Sequence, residues 1–201
     1  MEVETKEKLK KLVDMDEKPL KYKMYEIVIY NISGMQAGIQ GSHAKDQFEI
    51  KYGHTPEYKE WLHNCKTVIV LDGGTTNDGI HSCYGETPEI GTMQEHISAL
   101  RLKDIPHAFF KEPDLNNAMT AIAFIADERV FNNVDYPRYI DFCRTKMEDW
   151  EFEYAFKSGN YDIYEVQSRF AILTSQWQSL VGGYKNGFLK EWLPEFRLAR
   201  N

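Results

Sequence analysis

The chain has 201 residues, with 42% hydrophobic and 27% charged side chains and a formal net charge of −7. That balance excludes a disordered polyelectrolyte and a membrane bundle, and the length suits one core domain with an appendage. No apolar run approaches the roughly 20 residues of a membrane-spanning helix, and the first residues are rich in Lys and Glu, so a cytoplasmic protein is expected.

The acidity is concentrated in residues 24–134. A surface there that grips a polyanion is disfavoured, because such binding rests on Lys and Arg against phosphates. Cys65, Cys83 and Cys143 are isolated, which predicts reduced thiols. The histidines fall in no HxxxH or HExxH spacing, so no metal site is expected.

In chain order, residues 1–23 alternate Lys with acids and predict a solvated arm. "MYEIVIY" (24–30) and "KTVIVLD" (66–72) read as buried strands. Between them a helix is expected from about residue 35. A second follows in "TPEYKEWLHN", where Thr55 caps a first turn containing Pro56. A third helix spans 92–104, with Met93, Ile97 and Leu100 on one face and Thr92 with Glu95 as a capping box. "PHAFFKE" (106–112) and "MTAIAFIAD" (119–127) complete the strands. The order β, α, α, β, α, β, β predicts an α/β fold: a small mixed sheet of about four strands flanked by helices, within residues 24–134.

From 135 to 201 only helical periodicity remains, which predicts a helical C-terminal extension. Ile140, Cys143, Met147, Trp150 and Tyr154 step by threes and fours, and so do Ile163, Val166, Phe170, Leu173, Trp177 and Leu180. Gly159 and Asn160 mark a break between these helices, and "FLKEWL" before Pro194 reads as a last short one. Such stripes pack on the α/β domain or on a second copy of the chain, giving a homodimer.

The segment "SGMQAGIQGSHAKDQ" (33–47) carries the first candidate chemistry. On a helix Ala37, Gly41, Ala44 and Phe48 form one stripe, small enough at three of its four positions for close packing on a sheet. Gln36, Gln40, His43 and Gln47 form a second stripe about 100° around, along the rim of that contact. Further on, "LDGGTTND" puts Gly73, Gly74, Thr75 and Thr76 at a strand end. It reads as a tight turn, or as backbone N–H groups presented to a phosphate. "GIHSCYGETPEIG" (79–91) reads as a binding loop or lid. "EPDLNN" (112–117) reads as a turn, or as a source of acids and amides beside Thr120.

These motifs together resemble the type 2 peptidyl-tRNA hydrolase family, and most closely its bacteriophage branch. The family signature has a glycine and lysine, then an alanine-rich turn ending in Gln, two small residues, His and Ala; Gln40, His43 and Ala44 match it. "EPDLNNAMTAIAFIAD" is similar to the family's final block, an acid and a threonine before an apolar strand. Gln36 stands where the family has its lysine. The resemblance implies hydrolysis of an acyl or peptidyl ester on tRNA, without a cofactor. Glu112 or Asp114 would activate water and His43 would shuttle a proton. Thr120, Gln36 and Gln40 would donate to the carbonyl oxygen. Gln47, Gly73, Gly74, Thr75, Thr76, Asn116 and Asn117 would line the substrate site. The alternative is a non-catalytic module of the same fold that holds a small nucleotide-like ligand or a host protein.

Overall fold

A computed structural model describes residues 19–76, 91–157 and 164–199. At its centre is a four-stranded mixed sheet in the order β2-β1-β4-β3. β1 (Tyr22–Val28) runs parallel to β2 (Thr67–Asp72) and antiparallel to β4 (Ala118–Asp127), which pairs antiparallel with β3 (His107–Glu112). A parallel pair needs a long crossover. Here it consists of α1 (Gly34–Tyr52), α2 (Pro56–Glu60) and a π-helical turn, Trp61–Cys65. α3 (Thr92–Leu102) lies between β2 and β3 in the chain. The strand limits fall within two residues of those read from the sequence. Tyr22 and Lys23, assigned there to the charged arm, belong to β1 and pair with Asp127 and Ala126. The rest of that arm, most of the 79–91 loop, and Gly159 with Asn160 lie outside the described residues.

α1 covers one face of the sheet with the small stripe, burying Ala37, Gly41, Ala44 and Phe48. At Gly41 the approach is close: a Cβ there would overlap Glu26 Oε2. Any side chain would therefore push α1 off β1 or displace a carboxylate that is itself buried, at 5% exposure. Thr55 caps α2 as expected, its hydroxyl accepting from the Tyr58 amide with Pro56 in the first turn.

The other face is covered by α3 and by the C-terminal α8 (Tyr184–Trp192). Met93, Ile97 and Leu100 of α3 are buried in the same core as Phe124 and Leu189. Trp192 bridges the layers, in ring contact with Phe124, Phe188, Phe196 and His96. Beyond α8 the chain reaches the outer edge of β2. There Asp72 N donates to Arg197 O, Ala199 N donates to Val70 O, and Leu198 bridges Leu71 antiparallel. The unpaired groups of this edge strand are thus partly closed by residues 197–199.

α8 is anchored by buried polar groups. Lys190, 1% exposed, donates from Nζ to the carbonyls of Arg129 and Val130 and to Asn133 Oδ1, closing the end of α4 (Glu128–Phe131). Burial pulls its pKa down to about 8. Asp127 accepts from Arg129 and from Asn186 of α8.

Between these lie α5 (Tyr139–Lys146), α6 (Asp149–Lys157) and α7 (Tyr164–Leu180). Phe142, Cys143, Met147, Phe152, Leu173, Trp177 and Val181 form their own buried cluster. The periodicity predicted one helix across 140–154, but Met147 is extended (φ −110°, ψ 150°) and divides it in two. The turn re-aims the second half, so Phe152 is buried while Trp150 is 67% exposed. Ile140 and Leu180, also placed on the apolar stripes, are exposed.

Glu26 carries a consequence for pH. Burial, with a smaller contribution from Asp46 and an opposing one from Lys45, raises its pKa from 4.5 to about 7. The folded chain then holds this proton more tightly than the unfolded chain does, so stability falls as pH rises from about 4.5 to 7 and levels above that. The loss reaches about 3 kcal/mol. Glu26→Gln should remove it: denaturation midpoints at pH 5 and pH 8 should converge in the variant relative to wild type. An equal pH dependence in both proteins would contradict the buried carboxyl.

Candidate functional site

Gln40, Glu112 and Thr120 come from three elements and meet under the rim of α1. Gln40 Nε2 donates to Glu112 Oε2 at 2.5 Å, and Thr120 Oγ1 donates to Gln40 Oε1. An amide is suited to this position because it offers a donor and an acceptor on one planar group. One carboxamide thus connects the end of β3 to β4.

A strand irregularity aims Thr120. Phe110 pairs with Ala121 and Lys111 with Met119, so Thr120 is an extra residue in β4. Such bulges re-aim side chains. Thr120 is fully buried, and its hydroxyl donates to Gln40. His43, one turn along α1, is exposed and packs its ring on Phe110, with centroids 4.5 Å apart. Gln47, half-buried, follows one turn later.

The two acids are distinguished by the geometry. Glu112 is half-buried and tied to Gln40; Asp114 is exposed in the following turn, Pro113–Leu115. Asn116 and Asn117 take left-handed backbone conformations, with φ of 53° and 58°, and Asn117 N donates to Glu112 O. Asn tolerates that region better than most residues. Their backbones fold the turn back, and their side chains are exposed.

Gln36 is not part of this cluster. Ser33 caps α1, accepting from the Gln36 amide, while Gln36 Oε1 accepts from Ser33 N. This is a complete capping box. Its signal is local in the sequence, Ser followed three residues later by Gln. The box expected at Thr92 and Glu95 is absent: Gly91 is the cap residue and makes no side-chain cap bond. The Thr92 hydroxyl donates instead to Gly73 O and accepts from Thr75 N.

That exchange also decides the glycine turn. Gly73 N donates to Val28 O, Gly74 N to Asp72 Oδ1, and Thr75 N to Thr92 Oγ1. These amides are therefore not free for a phosphate. Gly73 is required because a Cβ would stand 2.5 Å from both Ile27 Cγ2 and Met93 Sδ, and Gly74 has φ +77°. Thr76 is half-buried and is the last described residue before the gap. Gly73, Gly74, Thr75 and Thr76 follow β2, whereas Glu112 ends β3, so β1 and β4 separate the two places. At about 4.8 Å per strand step they stand roughly 14 Å apart.

His96 Nε2 stands 3.2 Å from Gly73 O, and burial lowers its pKa. It contacts Trp192 and Phe196, a packing role that sequence spacing did not reveal.

No protein-family model matches this chain, nor does any curated protein. Among the described residues, no helix is long and apolar enough to cross a membrane.

The cap on α1 is testable without any ligand. Ser33→Ala removes the side-chain acceptor for the Gln36 amide and should lower stability by about 1 kcal/mol. An unchanged urea midpoint would show that the box does not hold the helix start.

Proposed function

We propose that the chain is a type 2 peptidyl-tRNA hydrolase-like protein that cleaves an acyl or peptidyl ester on tRNA with water. One observation carries this reading: Thr120, Gln40 and Glu112, which the sequence resemblance names separately, are joined by hydrogen bonds. The four-stranded mixed sheet with helices on its faces is also the architecture that the resemblance implies.

Glu112 is the carboxylate that orients and deprotonates the water, held in place by Gln40. Thr120 is a positioning residue, fixing which end of the Gln40 amide faces Glu112. His43, exposed beside Phe110, is available to carry a proton outward. No Ser or Cys nucleophile takes part.

A second reading is favoured by Gln36. The residue at the family's lysine position is an uncharged amide whose Oε1 is engaged with Ser33, so it adds no charge to the cluster. The same cluster then acts as a binding site for a small nucleotide-like ligand or a host protein.

Incubation with peptidyl-tRNA separates the two. The hydrolase reading predicts peptide release by wild type, a fall of roughly a hundredfold or more in Glu112→Gln, and little change in Asp114→Asn. Absence of release by a folded wild type would leave the binding reading. Loss in Asp114→Asn alone would move the catalytic acid into the turn.

A further inference from the structure

A cavity of about 300 Å³ lies at the far end of the sheet from Gln40. It is bounded by Tyr22 of β1, Phe48 and Tyr52 of α1, Tyr58 of α2, and Asp127 of β4, with Glu57 at its rim. Tyr22 pairs with Asp127, while Ala121, next to Thr120, pairs with Val28. Six strand residues, or roughly 20 Å, separate the two places.

Four aromatic residues gather here. Phe48 stands 4.8 Å from Tyr52 and 6.1 Å from Tyr58 between ring centroids. Aromatic faces carry negative potential and attract cations. Elsewhere in the molecule lysines and arginines lie over aromatic rings, as Lys23 does over Phe131 and Lys51 over Phe109. Among the described residues, no such cation covers these four.

The charges around the cavity point the same way. Lys185 reaches its wall but is paired with Asp104 at 2.7 Å, and Asp127 is paired with Arg129. Among the described residues, Glu57 has no ion pair. α1 also ends here at Gly53, presenting the carbonyl end of a 19-residue helix. Burial raises the Tyr22 pKa, and Asp127 and Glu57 raise it further against the opposing Arg129.

We propose that this cavity binds a small organic cation, an alkylammonium whose apolar body sits among Tyr22, Phe48, Tyr52 and Tyr58 and whose charge faces Glu57. The volume lies at the lower limit of ligand pockets, which restricts the guest to a compact molecule. The site is independent of the hydrolase reading and survives if that reading fails.

Choline and its uncharged isostere 3,3-dimethyl-1-butanol, titrated separately into the full chain and followed by tyrosine fluorescence and NMR shifts, make the test. Choline should bind saturably and roughly tenfold more tightly than the neutral isostere. Glu57→Gln, an exposed change, should weaken choline several-fold without altering the isostere; Tyr52→Leu should weaken choline more. Equal binding of both probes to wild type would reduce the cavity to an apolar hollow and overturn the proposal. So would a lack of saturable choline shifts in the folded protein.

Discussion

The close approach of α1 to the sheet at Gly41 governs the arrangement around it. A helix normally stands off a sheet by the thickness of its side chains, but Ala37, Gly41 and Ala44 reduce that thickness to almost nothing along one stripe. The adjacent stripe is thereby lowered toward the sheet surface. Gln40 can then reach both Thr120 and Glu112 with a side chain of ordinary length. Bulk at position 41 would either displace the Glu26 carboxyl or lift α1 and carry the amide away from both partners. The buried Glu26 carboxyl directly beneath Gly41 makes the same contact sensitive to pH.

The helices after β4 complete the sheet in two ways. α8 covers the face opposite α1, and residues 197–199 close the β2 edge. Buried Lys190 and the Asp127–Arg129–Asn186 set hold α8 to the end of β4 with hydrogen-bonded charges. Breaking one partner of such a set leaves an uncompensated buried charge, which is strongly destabilising. α5 to α7, in contrast, bury a separate cluster around Trp177 and meet the rest through contacts such as Arg138 with Glu191.

What the sequence disclosed followed from local rules. The strands and α1 were legible because period-two and period-3.6 patterns are properties of neighbouring residues, and the stripe at 37, 41, 44 and 48 emerged directly from spacing. The site was half legible. Gln40, Thr120 and an acid in "EPDLNN" were marked, but that Gln40 bonds Glu112 and leaves Asp114 exposed depends on the fold of the turn, which includes two left-handed asparagines. Errors arose where a side chain serves a distant partner. Thr92 looks like a cap residue, yet its hydroxyl is bonded to residues 73 and 75. Gln36, marked for a ligand role, is also the N3 member of the capping box on Ser33. The break at Met147 and the pairing of Arg197 and Ala199 with β2 leave no short-range signal at all.

The central claim is that the lowered α1 makes Gln40 a bridge between strands. A double-mutant cycle with Gln40→Leu and Thr120→Val, read by urea denaturation, tests that bond directly. The account predicts that the two changes are coupled by about 1 kcal/mol or more, because either one alone leaves the other's polar group buried without its partner. Additivity to within about 0.3 kcal/mol would mean that Gln40 and Thr120 do not interact, and the bridge on which the candidate site is built would be absent.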